Sequence, residues 1–285
     1  MENISRIGVV GCGLMGSGIA EVAVRQGLDV LVAEATPEAA VSGRERITAS
    51  LAQGVRRAKL TAEERDQALS HLTFTSDLDD LADRQLIIEA IAERRDLKSD
   101  LFKTLDKVIA DPQAILATNT SSIPVIDLAT VTGRPERVVG MHFFNPVPVQ
   151  PLVELIPALT TSQETLAVAR RFVAEQLDKQ AIQAPDQSGF VVNALLVPYL
   201  LAAVRMVEAG AASPADIDRG MELGCAHPMG PLRLLDLIGL DTAQSVAESL
   251  YEEFKEPLYA PPALLRRMVT AGHLGRKSGQ GFYPY

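Results

Sequence analysis

The sequence predicts an α/β architecture, a doubly wound, mainly parallel sheet followed by a smaller all-α domain. Three observations carry this. Over the first two thirds of the 285 residues, short apolar runs alternate with segments of helical spacing, as expected of strands buried under helices on both faces. A Gly-x-Gly-x-x-Gly run stands where the first strand meets the first helix. After Pro185 the strand patterns stop and helix punctuation takes over.

The elements follow in order. "RIGVV" (6–10) is the first strand, and Gly11-Cys12-Gly13-Leu14-Met15-Gly16 comes directly after it. In such a loop Gly11 permits the tight turn, Gly13 lets the backbone approach a pyrophosphate, and Gly16 lets helix and strand pack closely, so the loop with Leu14 and Met15 reads as a cofactor-binding site of Rossmann type. The helix "IAEVAVRQG" ends near Gly27, and the next strand, "DVLVAEA", carries Glu34 about two dozen residues beyond Gly11. An acid there can bind a ribose 2′-hydroxyl and repel a 2′-phosphate, which favours NAD over NADP. A long helical pattern covers 39–59, then come "LTFT" (72–75), "LIIEAI" (86–91), a helix over 96–110, "AILAT" (114–118) and "RVVGMHFF" (137–144). The boundary is expected near 184–189, giving a nucleotide-binding domain over 1–185 and a helical second domain over 186–285. There "SPAD" (213–216) reads as an N-cap with proline at the first helical position, and Gly210 and Gly220 as helix ends.

Composition narrows the function. The chain is 47% hydrophobic and 22% charged, with a net charge of −9. This is globular, and it opposes general nucleic-acid binding. Cys12 and Cys225 are too few for a disulfide scaffold, and nothing suggests a metal. No leader-like stretch precedes the first strand, and the apolar run "ALLVPYLLAAV" is interrupted by Pro198 and too short to span a bilayer, so a cytoplasmic protein is expected, with no membrane partner.

The chemical signal lies in "VVGMHFFNPVPVQPLVELI" (138–156), where His142, Asn145 and Glu154 interrupt an apolar stretch. Burying polar side chains is costly unless they are paired. His142 suits proton transfer near neutral pH, and the prolines of "NPVPVQP" favour a turn that could return Glu154 beside it. A core histidine bonded to a carbonyl is the plainer alternative.

"HFFNPV" followed by "LVELI" resembles the signature of the 3-hydroxyacyl-CoA dehydrogenase family. The likeness extends to "IIEAIAERRDLK" (87–98), "ATNTSSIPV" (117–125), "GFVVNALLVPYL" (189–200), "HPMGPLRLLDLIGLD" (227–241) and "GRKSGQGFY" (275–283). The resemblance implies His142 as catalytic base on the 3-hydroxyl with Glu154 as its partner. Ser121 would contact the reacting oxygen near the nicotinamide, and Asn193 would hold the acyl thioester. Glu93, Lys98, Asn145 and Lys277 match cofactor-contacting positions, and Ser50 and Arg57 match positions that contact coenzyme A. Two positions depart from the family pattern. Glu34 stands where the family often has aspartate, and "RRAK" replaces a Lys-Gly-Lys run. Around Arg57 lie Arg44, Arg46, Arg56 and Lys59, a cationic cluster in an acidic protein. The implied partner is an acyl-CoA thioester, and the apolar content of 189–285 together with the resemblance implies a homodimer through that domain. A CoA-independent hydroxyacid dehydrogenase of the same architecture and a non-catalytic NAD-binding protein are the alternatives. The intact set Ser121, His142, Glu154 and Asn193 weighs against the latter, because binding alone needs no base.

Overall fold

A computed structural model describes residues 3–285. The chain forms two compact units, the first ending at Asp186 and the second comprising Gln187–Tyr285.

The first unit is built on one eight-stranded sheet. Its strands are β1 (Arg6–Val10), β2 (Asp29–Ala33), β3 (Leu72–Thr75), β4 (Leu86–Glu89), β5 (Ile115–Thr118), β6 (Val138–Phe143), β7 (Leu152–Pro157) and β8 (Gln180–Gln183), in the order β3-β2-β1-β4-β5-β6-β7-β8. Strands β1 to β6 run parallel, β7 is antiparallel to β6, and β8 is parallel to β7. The order reverses direction between β1 and β4, the switch point where sheets of this class open a crevice at their carboxyl edge. The helices are α1 (Leu14–Arg25), α2 (Pro37–Arg56), α3 (Ala62–Ser70), α4 (Arg95–Val108), α5 (Val125–Ala129) and α6 (Gln163–Arg171). Val9, Ile7, Val30, Ile88 and Ile115 on the strands and Ile19, Ile47 and Leu51 on α1 and α2 share one buried cluster.

Two details depart from expectation. The helical pattern over 39–59 ends at Arg56, where Ala58 turns to φ 54°. A separate α3 then starts behind Thr61, whose hydroxyl and the Glu64 carboxylate form a reciprocal capping box. The edge strand β8, "QAIQ", has polar ends and only partial burial, so it carries no apolar run to announce it.

The second unit is helical: α7 (Val192–Glu208), α8 (Pro214–Gly224), α9 (Pro231–Ile238), α10 (Leu240–Phe254) and α11 (Ala263–Thr270). Ser213 caps α8, accepting the Asp216 N–H, with Pro214 at the first position. Gly220 lies inside α8 and does not end a helix, whereas Gly210, at φ 65°, follows the last turn of α7. Helix α7 runs through Pro198, because Leu200, Leu201 and Val204 bury its apolar face in the unit's core. Two buried carboxylates tie the terminal segment down. Asp218 accepts from Tyr283 Oη at 2.7 Å, and Asp236 from the N–H groups of Phe282 and Tyr283 at 2.9 and 3.0 Å. No helix among the described residues is long and apolar enough to cross a membrane.

Candidate active site

In the first unit five of the sequence-predicted positions gather at the carboxyl edge of the parallel strands. Gly11 follows β1, Glu34 follows β2, Glu93 follows β4, Ser121 follows β5, and His142 lies near the end of β6.

The glycine loop is shaped by contact. Gly11 sits at φ 88°, and a Cβ there would approach the Ala90 carbonyl oxygen to 2.8 Å. A Cβ on Gly16 would fall 1.8 Å from the Gly11 carbonyl oxygen, so only glycine lets α1 start this close to β1. A Cβ on Gly13 would meet nothing within 4 Å, which marks the open side of the turn. Helix α1 begins with no side-chain cap and no acid in its first turn, leaving N–H donors and the positive dipole end for an anion. Leu14 is exposed here, and Met15 packs partly on the core. These features fit the pyrophosphate of a dinucleotide.

Glu34 Oε1 accepts the Cys12 N–H, and Arg46 Nη1 donates to the Cys12 carbonyl. Burial and the nearby Glu34 carboxylate push the Cys12 thiol up to about 12, so it stays protonated and inert. Arg46 therefore belongs to the nucleotide edge, which its membership of a charge cluster did not reveal.

His142 and Glu154 are direct cross-strand partners on β6 and β7. The twelve-residue spacing places one opposite the other once the chain reverses through 145–151. His142 Nδ1 lies 2.8 Å from Glu154 Oε2, and both residues are buried, Glu154 completely. A carboxylate accepting at Nδ1 selects the tautomer that carries the ring lone pair on Nε2, the form that can take up a proton there. Phe144 packs edge-on against the ring, with centroids 4.7 Å apart. The parallel pairing of β5 with β6 stops at Thr118–Gly140, so the end of β6 projects past its neighbour. Asn119 fills the gap. Its Oδ1 accepts the Phe143 N–H at 2.9 Å, a clamp the sequence did not disclose.

Ser121 lies in the turn after β5, where Glu93 Oε1 accepts the N–H groups of Ser121 and Ser122 at 2.9 and 3.1 Å. The Ser121 hydroxyl makes no hydrogen bond to the described residues. Burial alone would raise the Glu93 carboxyl, but the Lys98 ammonium and the Thr120 hydroxyl outweigh it and hold the group below the ordinary glutamate range. Lys98 does not face the edge. It is 1% exposed, and its Nζ sits 2.9 Å from Glu93 Oε2 and 2.9 Å from Glu89 Oε1. Glu89, the last residue of β4, was missed, although a lone carboxylate in the apolar run "LIIEAI" is the same signal that marked Glu154.

The remaining residues are placed as follows. Asn145 is exposed just beyond β6. Ser50 is half-buried on α2, and exposed Arg57 caps the same helix two turns on, so the two share a face. In the second unit, Asn193 is half-buried in the first turn of α7, and Lys277 Nζ pairs with Asp241 at 2.6 Å. No group of three or more His, Cys, Asp or Glu among the described residues is arranged to hold a metal.

Chemistry that needs both a held dinucleotide and one buried base is hydride transfer coupled to proton transfer, so the class is an NAD-dependent oxidoreductase. The chain belongs to the 3-hydroxyacyl-CoA dehydrogenase family: residues 6–187 match its NAD binding domain and residues 189–285 its C-terminal domain. Its reaction is the NAD-dependent interconversion of 3-hydroxyacyl-CoA and 3-oxoacyl-CoA. The 3-hydroxybutyryl-CoA dehydrogenase of Mycobacterium tuberculosis is 56% identical over 284 residues, covering 100% of this chain and 99% of the relative. The crystal structure of M. tuberculosis FadB2 superposes with a TM-score of 0.99 at 56% identity over 100% of both chains. That of (S)-3-hydroxybutyryl-CoA dehydrogenase from Ralstonia eutropha gives 0.94 at 44% identity over 99% of both chains.

Proposed function

We propose that the acyl group is short, the couple being (3S)-3-hydroxybutyryl-CoA and acetoacetyl-CoA, and that His142 moves the proton. The observation that carries the proton-transfer role is the buried His142–Glu154 pair on the sheet edge that also bears the glycine loop. In oxidation Nε2 of His142 takes the proton from the 3-hydroxyl, and in reduction it returns one to the 3-oxygen. Glu154 fixes the ring and stabilises its cationic form. Ser121 orients the reacting oxygen through its hydroxyl, and Asn193 holds the acyl thioester, as its place in the family motif implies. NAD(H), held by Gly11–Gly16 and Glu34, supplies or accepts the hydride. Asn145 and Lys277 complete the cofactor contacts, while Ser50 and Arg57 on α2 serve coenzyme A. The names of the relatives support the short acyl chain.

Glu34 favours NAD(H) over NADP(H), and matched kinetics with equal or better NADP(H) use would contradict that. We place the protein in the cytoplasm as a homodimer joined through residues 187–285. The decisive assay is NADH oxidation with acetoacetyl-CoA beside free acetoacetate. Turnover confined to the thioester is expected, and equal turnover of the free acid would overturn the assignment.

A further inference from the structure

We propose that Glu89 is a positioning residue for catalysis, holding the Ser121 turn in place through Lys98 and Glu93. This rests on the reading of Ser121 as the group that orients the substrate oxygen. The turn after β5 has no ladder of its own, so its N–H groups need another acceptor. One oxygen of Glu93 supplies it for both Ser121 and Ser122, and also accepts the Thr120 and Ser122 hydroxyls. That single oxygen fixes the backbone from which the Ser121 hydroxyl projects.

Glu93 cannot be its own anchor, because its side chain is 35% exposed and it lies in a loop between β4 and α4. Its second oxygen is held by the Lys98 ammonium at 2.9 Å. An ammonium on a residue 1% exposed is tenable only if charge and hydrogen bonds surround it. Glu89 provides both, with Nζ 2.9 and 3.0 Å from its two oxygens. Glu89 is itself fixed from three sides: by β4, by the Thr118 hydroxyl at 2.6 Å, and by the Ile91 N–H at 2.7 Å. Rigidity therefore passes from the middle of the sheet to the Ser121 turn through two ion pairs. Lys98 serves the site from inside, by fixing Glu93.

The test is a double-mutant cycle between Glu89→Gln and Ser121→Ala, with kcat measured per NADH-binding site. Glutamine keeps the size of Glu89 and an oxygen for the Ile91 N–H, but removes the charge that opposes Lys98. We expect kcat to fall about ten-fold in the wild-type background, the scale of a sub-ångström misplacement. In the Ser121→Ala background the same change should cost less than about two-fold, because the group it positions is gone. The dissociation constant of NADH should stay within about two-fold in every variant, since a merely structural defect would not spare binding while coupling to one hydroxyl. Equal losses in both backgrounds, or no loss in either, would overturn the relay while leaving the role of Ser121 intact. Full turnover by Ser121→Ala would instead strike the reading of Ser121, and the relay with it. If Glu89→Gln fails to fold, Thr118→Val, which removes the hydroxyl that fixes Glu89 at 2.6 Å, enters the cycle in its place, with losses in the same direction in each background.

Discussion

His142 touches Glu154 across two strands, and each residue's value follows from what the other leaves behind. If His142 plays the proposed part of the base, His142→Ala should lower turnover by roughly 10²–10⁴ while NADH binding persists, because the glycine loop and Glu34 sit on other elements. The measurement is turnover per folded, NADH-binding chain, and near-normal turnover on that basis would end the catalytic assignment. Glu154→Gln keeps the volume and one acceptor but not the charge, so turnover should drop with the fold retained. Glu93 makes a separate, pH-dependent contribution. Its folded-state pKa lies below the ordinary glutamate value, so the stabilisation is present above that value and disappears as pH falls through the folded one. Glu93→Gln should therefore lose stability at neutral pH and lose less than the wild type on acidification, as read from denaturation midpoints between pH 3 and 7. At this scale the sequence discloses acids set into apolar runs, and Glu154 was legible for that reason. Asn119 was not, because an asparagine after a strand looks like any turn residue until the unequal lengths of β5 and β6 expose what it caps.

The junction of β1 and α1 separates two uses of glycine. A Cβ on Gly16 would overlap the Gly11 carbonyl, whereas one on Gly13 would point into open space. Gly16→Ala should therefore lose both stability and NADH affinity. The stability loss should be roughly 1–3 kcal/mol, the cost of overpacking, and the displaced loop should weaken NADH binding as well. Gly13→Ala should unfold at nearly the wild-type temperature yet bind NADH less well, because its added methyl would occupy the open side of the turn proposed to receive the pyrophosphate. Equal stability losses for the two would contradict this division. Strands β1, β2, β4, β5 and β6 were legible because their short, largely apolar runs are buried on both faces, and β3 because its β-forming residues keep the pattern despite partial exposure. The last strand was not, since a short edge strand with glutamine at both ends buries too little to need such a run. The course of α7 through Pro198 was equally hidden, because core packing on either side overrides what proline does to an isolated helix.

For the molecule as a whole, the second unit leaves Leu195 and Leu223 each 73% exposed, together with Met206, Leu237 and Leu258. This apolar surface is what the proposed dimer would bury. Light scattering at micromolar concentration should give twice the 30.6 kDa chain mass, and a value at the chain mass would refute the dimer. The division into two units was readable from the loss of strand patterning after Pro185, but the way the chain passes between them was not. Asp186 is committed to the first unit, its carboxylate accepting the N–H groups of Val125 and Ile126 at 2.7 and 2.9 Å. Ser188 is committed to the second, its N–H donating to Glu253 at 2.8 Å. Only Gln187 lies between these two pins. A protease must draw several residues of unpinned, extended chain into its cleft, and such stretches are where folded proteins are nicked. Brief digestion with a protease of broad specificity should therefore cut elsewhere before it cuts here. The two halves, although compact and consecutive in the chain, would have to be separated at the level of the gene.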